Sequence, residues 1–303
     1  MYVITGASGN IGKVLAMELL SKGKQVRAIA RHPDKLQALA DKGAELAIGD
    51  IKDPSFVKKA FKGATACYCM IPGDLHSDDL TRDQHHKVNN LFEAVKANNV
   101  KYVVLLSSVG AHLREGAGVV DGLGYMEHKF DELKDTNIKI LRPSYFMENL
   151  FGQIGTIKQM GIIGAPLKSD LKLPMVATKD IAKVAFEHLN SLDFKGNTIE
   201  YILGPRDITY NEVAAVLGKA IGKPDLKYVQ FSYDEARKSM VQSGFISENV
   251  ARLFNGLSEA MNNGKALNFH VRTDENSSPT SIEEFASTFV QVYNMPATEN
   301  FTM

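Results

Sequence analysis

The chain has 303 residues, 44% of them apolar and 23% charged, proportions of a globular protein with a sizeable core and not of a disordered one. Its 35 basic residues balance 35 acidic ones, which argues against a nucleic-acid binder, whose affinity rests on a basic surplus. No apolar stretch approaches the ~20 residues that span a bilayer, and strand-like sequence from Tyr2 leaves no room for a signal peptide, so a soluble, cytoplasmic protein that binds no membrane is expected.

Tyr2-Val3-Ile4 is a short apolar run that leads into the turn Thr5-Gly6-Ala7-Ser8-Gly9-Asn10-Ile11-Gly12. Residues 10–22 carry Ile11, Val14, Leu15, Leu19 and Leu20 at helical spacing, and Gly23 stops them. Strand-like residues 26–30, a helix from Asp34, strand-like residues 45–48 and a helix after Pro54 follow. The apolar run 66–71 holds both cysteines, Cys67 and Cys69. Two residues apart in a strand, they face one packed layer as small hydrophobes. Two cysteines without a disulfide framework suit a reducing compartment. Helix 80–98 carries His85-His86, adjacent residues that do not share a face; they read as solvated, and no metal site is expected. The unbroken apolar run 102–106 is a strand buried on both faces. A helix over 126–133 and a sixth strand over 138–141, closed by Pro143, complete the first half.

Strict alternation of strand and helix implies a parallel sheet covered on both faces. The expected fold is therefore α/β: a doubly wound, Rossmann-type parallel sheet over residues 1–150. After residue 144 the rhythm changes, with a strand-like piece at 172–175, a helix over 178–190 and a strand over 198–203. Helices follow at 211–221 (behind Thr209), 233–243, 248–261 and 282–292, with a polar loop over 264–279. Residues 151–303 read as a smaller C-terminal α/β lobe, interleaved with the first domain and laid over the strand ends, where doubly wound proteins bind ligands.

Gly6, Gly9 and Gly12 sit where the first strand turns into the first helix. One glycine permits the turn, one lets backbone approach a pyrophosphate, and one lets the helix pack close. Phosphates are then met by free N–H groups at the helix N-terminus. The end of the second strand selects the nucleotide. An NAD site places a carboxylate there for the ribose 2′-hydroxyl. This chain has Arg31, with His32 and Lys35 behind it, groups suited to a 2′-phosphate. NADP(H) is expected over NAD(H). Asp34 is expected to open the next helix. Asp50, closing the third strand, is placed either at the adenine amino group, with Ile51 on the ring, or in a turn.

With these residues, the chain resembles the NmrA-like branch of the short-chain dehydrogenase/reductase superfamily. The resemblance runs nearly end to end, through Arg31-His32-Pro33-Asp34-Lys35, Gly49-Asp50, Leu141-Arg142-Pro143-Ser144-Tyr145-Phe146-Met147-Glu148-Asn149, Thr178-Lys179-Asp180-Ile181-Ala182 and Thr209-Tyr210-Asn211-Glu212. It implies cofactor contacts from Ser8, Asn10, Ile11, Ser107, Lys129 and Pro143 besides the glycines, Arg31, Lys35, Asp50 and Ile51. It also implies that Tyr125 and Lys129, i and i+4 on one helix face, act as proton donor and nicotinamide-ribose holder, with Ser107 or Ser108 as their serine partner. The loop between Ser108 and Tyr125 is longer than in short members of the superfamily, which puts the serine's role in question. Many NmrA-like proteins also lack this tyrosine.

Tyr145, Phe146 and Asn149 follow the sixth strand and suit either a flat aromatic substrate or packing between lobes. The leading expectation is an NADPH-dependent oxidoreductase that transfers hydride to a quinone-like or dye-like aromatic acceptor. A redox-sensing regulator that binds NADP(H) without turnover, and so acts through a protein partner, is the alternative. A sugar-nucleotide epimerase or dehydratase is a third, and Arg31 counts against it.

Overall fold

In the computed structural model, residues 1–267 and 271–296 are described. The nine strands are β1 (Tyr2–Ile4), β2 (Val26–Ala30), β3 (Glu45–Ile48), β4 (Ala66–Cys69), β5 (Tyr102–Leu106), β6 (Asn137–Pro143), β7 (Ile162–Ala165), β8 (Asn197–Ile202) and β9 (Lys227–Gln230) among the described residues. The helices of the first half are α1 (Asn10–Ser21), α2 (Gln37–Ala40), α3 (Pro54–Ala60), α4 (Leu80–Ala97) and α5 (Asp121–Phe130). Those of the second half are α6 (Ile154–Met160), α7 (Thr178–Ser191), α8 (Tyr210–Ala220), α9 (Tyr233–Gln242), α10 (Glu248–Asn262) and α11 (Ile282–Asn294).

Seven strands form one parallel sheet in the order β3-β2-β1-β4-β5-β6-β8. The order reverses at β1, so β1 and β4 flank the switch point where a ligand crevice opens. Alternating side chains divide between the two faces. Val3, Cys67, Val103 and Ile140 pack with α3, α4 and α5, while Ile4, Tyr68, Val104 and Leu141 pack with α1 and α7. The two thiols lie on one face as expected, 3.5 Å apart and buried, and burial pushes the Cys67 thiol up.

The second lobe has its own core, from Met147 and Leu150 through Tyr210 and Leu217 to Phe285 and Phe289. Its helices begin with local signals. Thr209 and Glu212 close a capping box on α8, as do Ser232 with Glu235 on α9 and Ser281 with Glu284 on α11.

Some elements differ from expectation. Residues 172–175 form no strand; Leu173 makes an isolated antiparallel bridge to Ile208. The lobe's parallel pair is instead β7 with β9, and α6, β7 and β9 had no counterpart in the sequence pattern. Helix α5 begins at Asp121, five residues before its expected start, because glycines at 122 and 124 mask its apolar periodicity. After the first lobe excursion the chain returns: α7 packs on the α1 face, and β8 pairs with β6 at the sheet edge. Of the expected loop 264–279, residues 268–270 lie outside the described residues. No described helix is long and apolar enough to cross a membrane.

Candidate active site

The glycine turn is built by close contacts that no larger residue allows. Gly6 has φ +62°, and a Cβ there would lie 2.5 Å from the Met70 Sδ. A Cβ on Gly12 would lie 2.3 Å from the Gly6 carbonyl oxygen. The Thr5 hydroxyl accepts from the Met70 N–H at 2.8 Å and donates back to the carbonyls of β4's end. This ties the turn to the neighbouring strand. Helix α1 then starts at Gly9 with no side-chain cap and no acidic residue in its first turn. Its free N–H groups and positive dipole end therefore face an exposed surface at Gly9 and Asn10. Ser8 is half-buried beside them, and Ile11 is buried.

At the end of β2, Arg31, His32 and Lys35 are exposed, and no hydrogen bond or ion pair engages their side chains among the described residues. Asp34 lies in the first turn of the 3-10 helix Pro33–Leu36, where it opens that segment. The Gly49 N–H donates to the Ala30 carbonyl at 3.1 Å, which holds the end of β3 against this cationic corner. Asp50 accepts from the Lys52 N–H at 2.9 Å, an Asx turn. Ile51 is buried, and its carbonyl is held by Asn90 at 3.0 Å.

The segment after β4 forms the opposite wall. The Lys87 ammonium, buried on α4, donates to the Pro72 carbonyl at 2.8 Å. Burial, with Lys52 nearby, lowers its pKa. Lys52 reaches Asp83 at 3.3 Å, and Ser77 donates to the same carboxylate at 2.8 Å. From the second lobe, the Ser247 N–H donates to the Leu75 carbonyl at 2.8 Å, while Asn249 accepts from the Leu80 N–H at 3.0 Å.

The superfamily-type serine, tyrosine and lysine do not come together. The Tyr125 phenol donates to Asn89 of α4 at 2.8 Å, and its ring stacks on His85 at 3.9 Å. One turn further from the strand ends, the Lys129 ammonium binds Glu132 at 2.9 Å and lies 4.6 Å above the Phe92 ring. The Glu132 hydrogen bond raises the Lys129 pKa, so its charge is engaged there. Tyr125 and Lys129 do share a helix face, but that face meets α4. Ser107 is buried and donates to the Glu127 carboxylate. Ser108, beyond the end of β5, is half-buried.

Glu127, between the two expected residues, faces the sheet. It forms a bidentate pair with Arg142, at 2.9 Å to Nε and 2.5 Å to Nη2, and Arg142 Nη1 donates to the Tyr201 hydroxyl at 2.7 Å. Burial works against the Arg142 charge, but the Glu127 carboxylate outweighs it and raises the pKa. Sequence reasoning gave this Ser107–Glu127–Arg142–Tyr201 network no role. Arg142 lies within the Leu-Arg-Pro motif, and an arginine inside an apolar strand was the signal that a buried carboxylate must meet it.

Pro143 ends β6, buried, and its carbonyl accepts from the Val109 N–H at 3.0 Å. Tyr145 turns into the second lobe, its hydroxyl 2.9 Å from that of Tyr210, and burial raises both phenol pKa values. Phe146 packs on the main sheet's core and bridges to Val176, while Asn149 is exposed. The loop between β5 and α5 is pinned from outside. At Gly118 a Cβ would lie 1.9 Å from the Leu253 carbonyl of α10.

The strand order, the glycine turn at the switch point and the uncapped helix define a Rossmann-type α/β protein with a dinucleotide-binding architecture. The chain belongs to the NmrA-like family, whose pattern matches residues 2–286. It is 26% identical over 257 residues to an NAD(P)H azoreductase of Xenophilus azovorans, covering 85% of this chain and 86% of that protein. It is 28% identical over 230 residues to quinone oxidoreductase 2 of Escherichia coli, covering 74% and 75%. Its fold matches that of Citrobacter sp. triphenylmethane reductase complexed with NADP(H), with a TM-score of 0.78, 21% identity and coverage of 95% and 100%.

Proposed function

We propose that this protein is an NADPH-dependent oxidoreductase that reduces a quinone-like or dye-like aromatic acceptor. The observation that carries the reading is the pairing of the glycine turn with Arg31 and Lys35, cations without a partner among the described residues. Gly6 and Gly12 let the turn fold tightly on Met70 and on its own backbone, and the uncapped start of α1 exposed at Gly9 and Asn10 suits a pyrophosphate approached by backbone. The relatives named as azoreductase and quinone oxidoreductase support the acceptor class.

When bound, the nicotinamide supplies hydride chemistry. The N–H groups of Asn10, Ile11 and Gly12 hold the pyrophosphate, and Arg31 with Lys35 binds the 2′-phosphate. Asp50 and Ile51 border the adenine, and the backbone at Pro143 borders the nicotinamide side. Phe146 and Asn149 stand at the acceptor's edge of the crevice. Tyr125, held by Asn89, supplies no proton; solvent does. The test is NADPH oxidation by purified protein against quinones, azo dyes and triphenylmethane dyes. Turnover with one of these classes, lost in Arg31→Ala at limiting NADPH, supports the reading. Confirmed NADPH binding with no turnover on any acceptor overturns it.

One observation favours the sensor as a second reading. Ser247 and Asn249 of the second lobe grip the segment between Leu75 and Leu80 that walls the crevice. A cofactor that moved this wall would move α10. Tight NADPH binding without turnover, with altered hydrogen exchange in α10, would support that alternative.

A further inference from the structure

A cavity of about 380 Å³ lies between α5 and the edge of the sheet at β6 and β8. It is separate from the glycine turn, and nothing in the proposed reaction uses it. Its floor is apolar, made by Ile140 and by Ile199, which is 47% exposed. Toward the carboxyl ends of the strands it is walled by His112, Arg114 and Arg142.

Arg114 holds φ +60°, a left-handed conformation uncommon for arginine. That turn packs on α5 only because residue 124 is glycine, since a Cβ there would lie 2.5 Å from the Ala111 carbonyl. The structure thus keeps a strained arginine at the cavity, exposed and without an ion-pair partner among the described residues. Of the cavity's two carboxylates, Glu127 is neutralised by Arg142. Asp131 lies at the opposite end, beyond the end of α5, and accepts from Asn197 at the start of β8. Arg142 and Glu127 cancel, and burial with Arg142 nearby lowers the His112 pKa, so the positive charge at that end of the cavity is Arg114; the floor is apolar, and the volume is in the range of small-molecule sites.

We propose that this cavity binds a small organic anion, a carboxylate on a flat apolar body, with the carboxylate at Arg114 and the body over Ile140 and Ile199. The test uses the full chain with labelled isoleucine methyl groups, titrated with benzoate and, separately, with inorganic phosphate, with and without NADPH. The expected result is saturable movement of the Ile140 and Ile199 methyl signals with benzoate, unchanged by NADPH, and none with phosphate. Arg114→Gly, which keeps the left-handed turn and removes the guanidinium, weakens benzoate about five-fold or more. Ile199→Glu, at an exposed edge position, abolishes binding. The proposal is overturned if those methyl signals stay still, if Arg114→Gly binds benzoate as the wild type does, or if NADPH displaces benzoate.

Discussion

Replacing Glu127 by leucine would leave the Arg142 guanidinium in a site where the two side chains are 10% and 8% exposed. Arg142 would lose both of its bonds to the carboxylate and keep only that to Tyr201, and Ser107 would lose its acceptor. Removing one partner of a buried ion pair costs about 3–5 kcal/mol, because the other charge remains desolvated and unpaired. For a chain of this size that corresponds to a fall in melting temperature of roughly 5–8 °C. The double replacement Glu127→Leu with Arg142→Met removes both charges and keeps apolar volume, so most of that loss should return. Calorimetric melting of the wild type, both single variants and the double variant measures the cycle. A Glu127→Leu protein that melts within ~2 °C of wild type, or a double variant no better than the worse single one, would refute the view that this pair is a coupled, desolvated unit.

Arg31→Ala should raise the dissociation constant of NADPH by about 10- to 100-fold, the loss of a charge-assisted contact, and leave NADH within a few-fold; equal losses for both would sink the assignment of Arg31 to the 2′-phosphate. Gly12→Ala places a methyl 2.3 Å from backbone oxygen, so fluorescence titration should find NADPH binding lost while far-ultraviolet dichroism stays close to wild type. Tyr125→Phe loses only the bond to Asn89; steady-state turnover should remain within about two-fold of wild type, and a collapse of kcat would restore Tyr125 as the proton donor. Gly118→Ala drives a methyl into the Leu253 carbonyl, and hydrogen exchange should accelerate in residues 111–123 and in α10 together; protection unchanged in both would mean that the loop is not anchored on that helix.

Much of this molecule is local, and local features are legible in a sequence. The first six strands, the glycine turn and the cationic end of β2 follow from apolar periodicity, backbone sterics and the sign of a charge. The capping box behind Thr209 is legible for the same reason. The i, i+4 relation of Tyr125 and Lys129 is also a local fact, and the structure keeps it. Which face of α5 meets the sheet is not local. Both faces carry polar residues, and the matter is decided by Arg142, on a strand fifteen residues away, which needs a carboxylate and draws Glu127 inward, so that Tyr125 and Lys129 turn to α4. The place of β8 is decided likewise, by pairing with β6 across an excursion through the second lobe. The short strands β7 and β9 pair only with each other, and only the lobe's own core makes them strands. Periodicity and turn chemistry act over a few residues, whereas the facing of a helix and the neighbour of a strand depend on burial and charge brought together from distant parts of the chain.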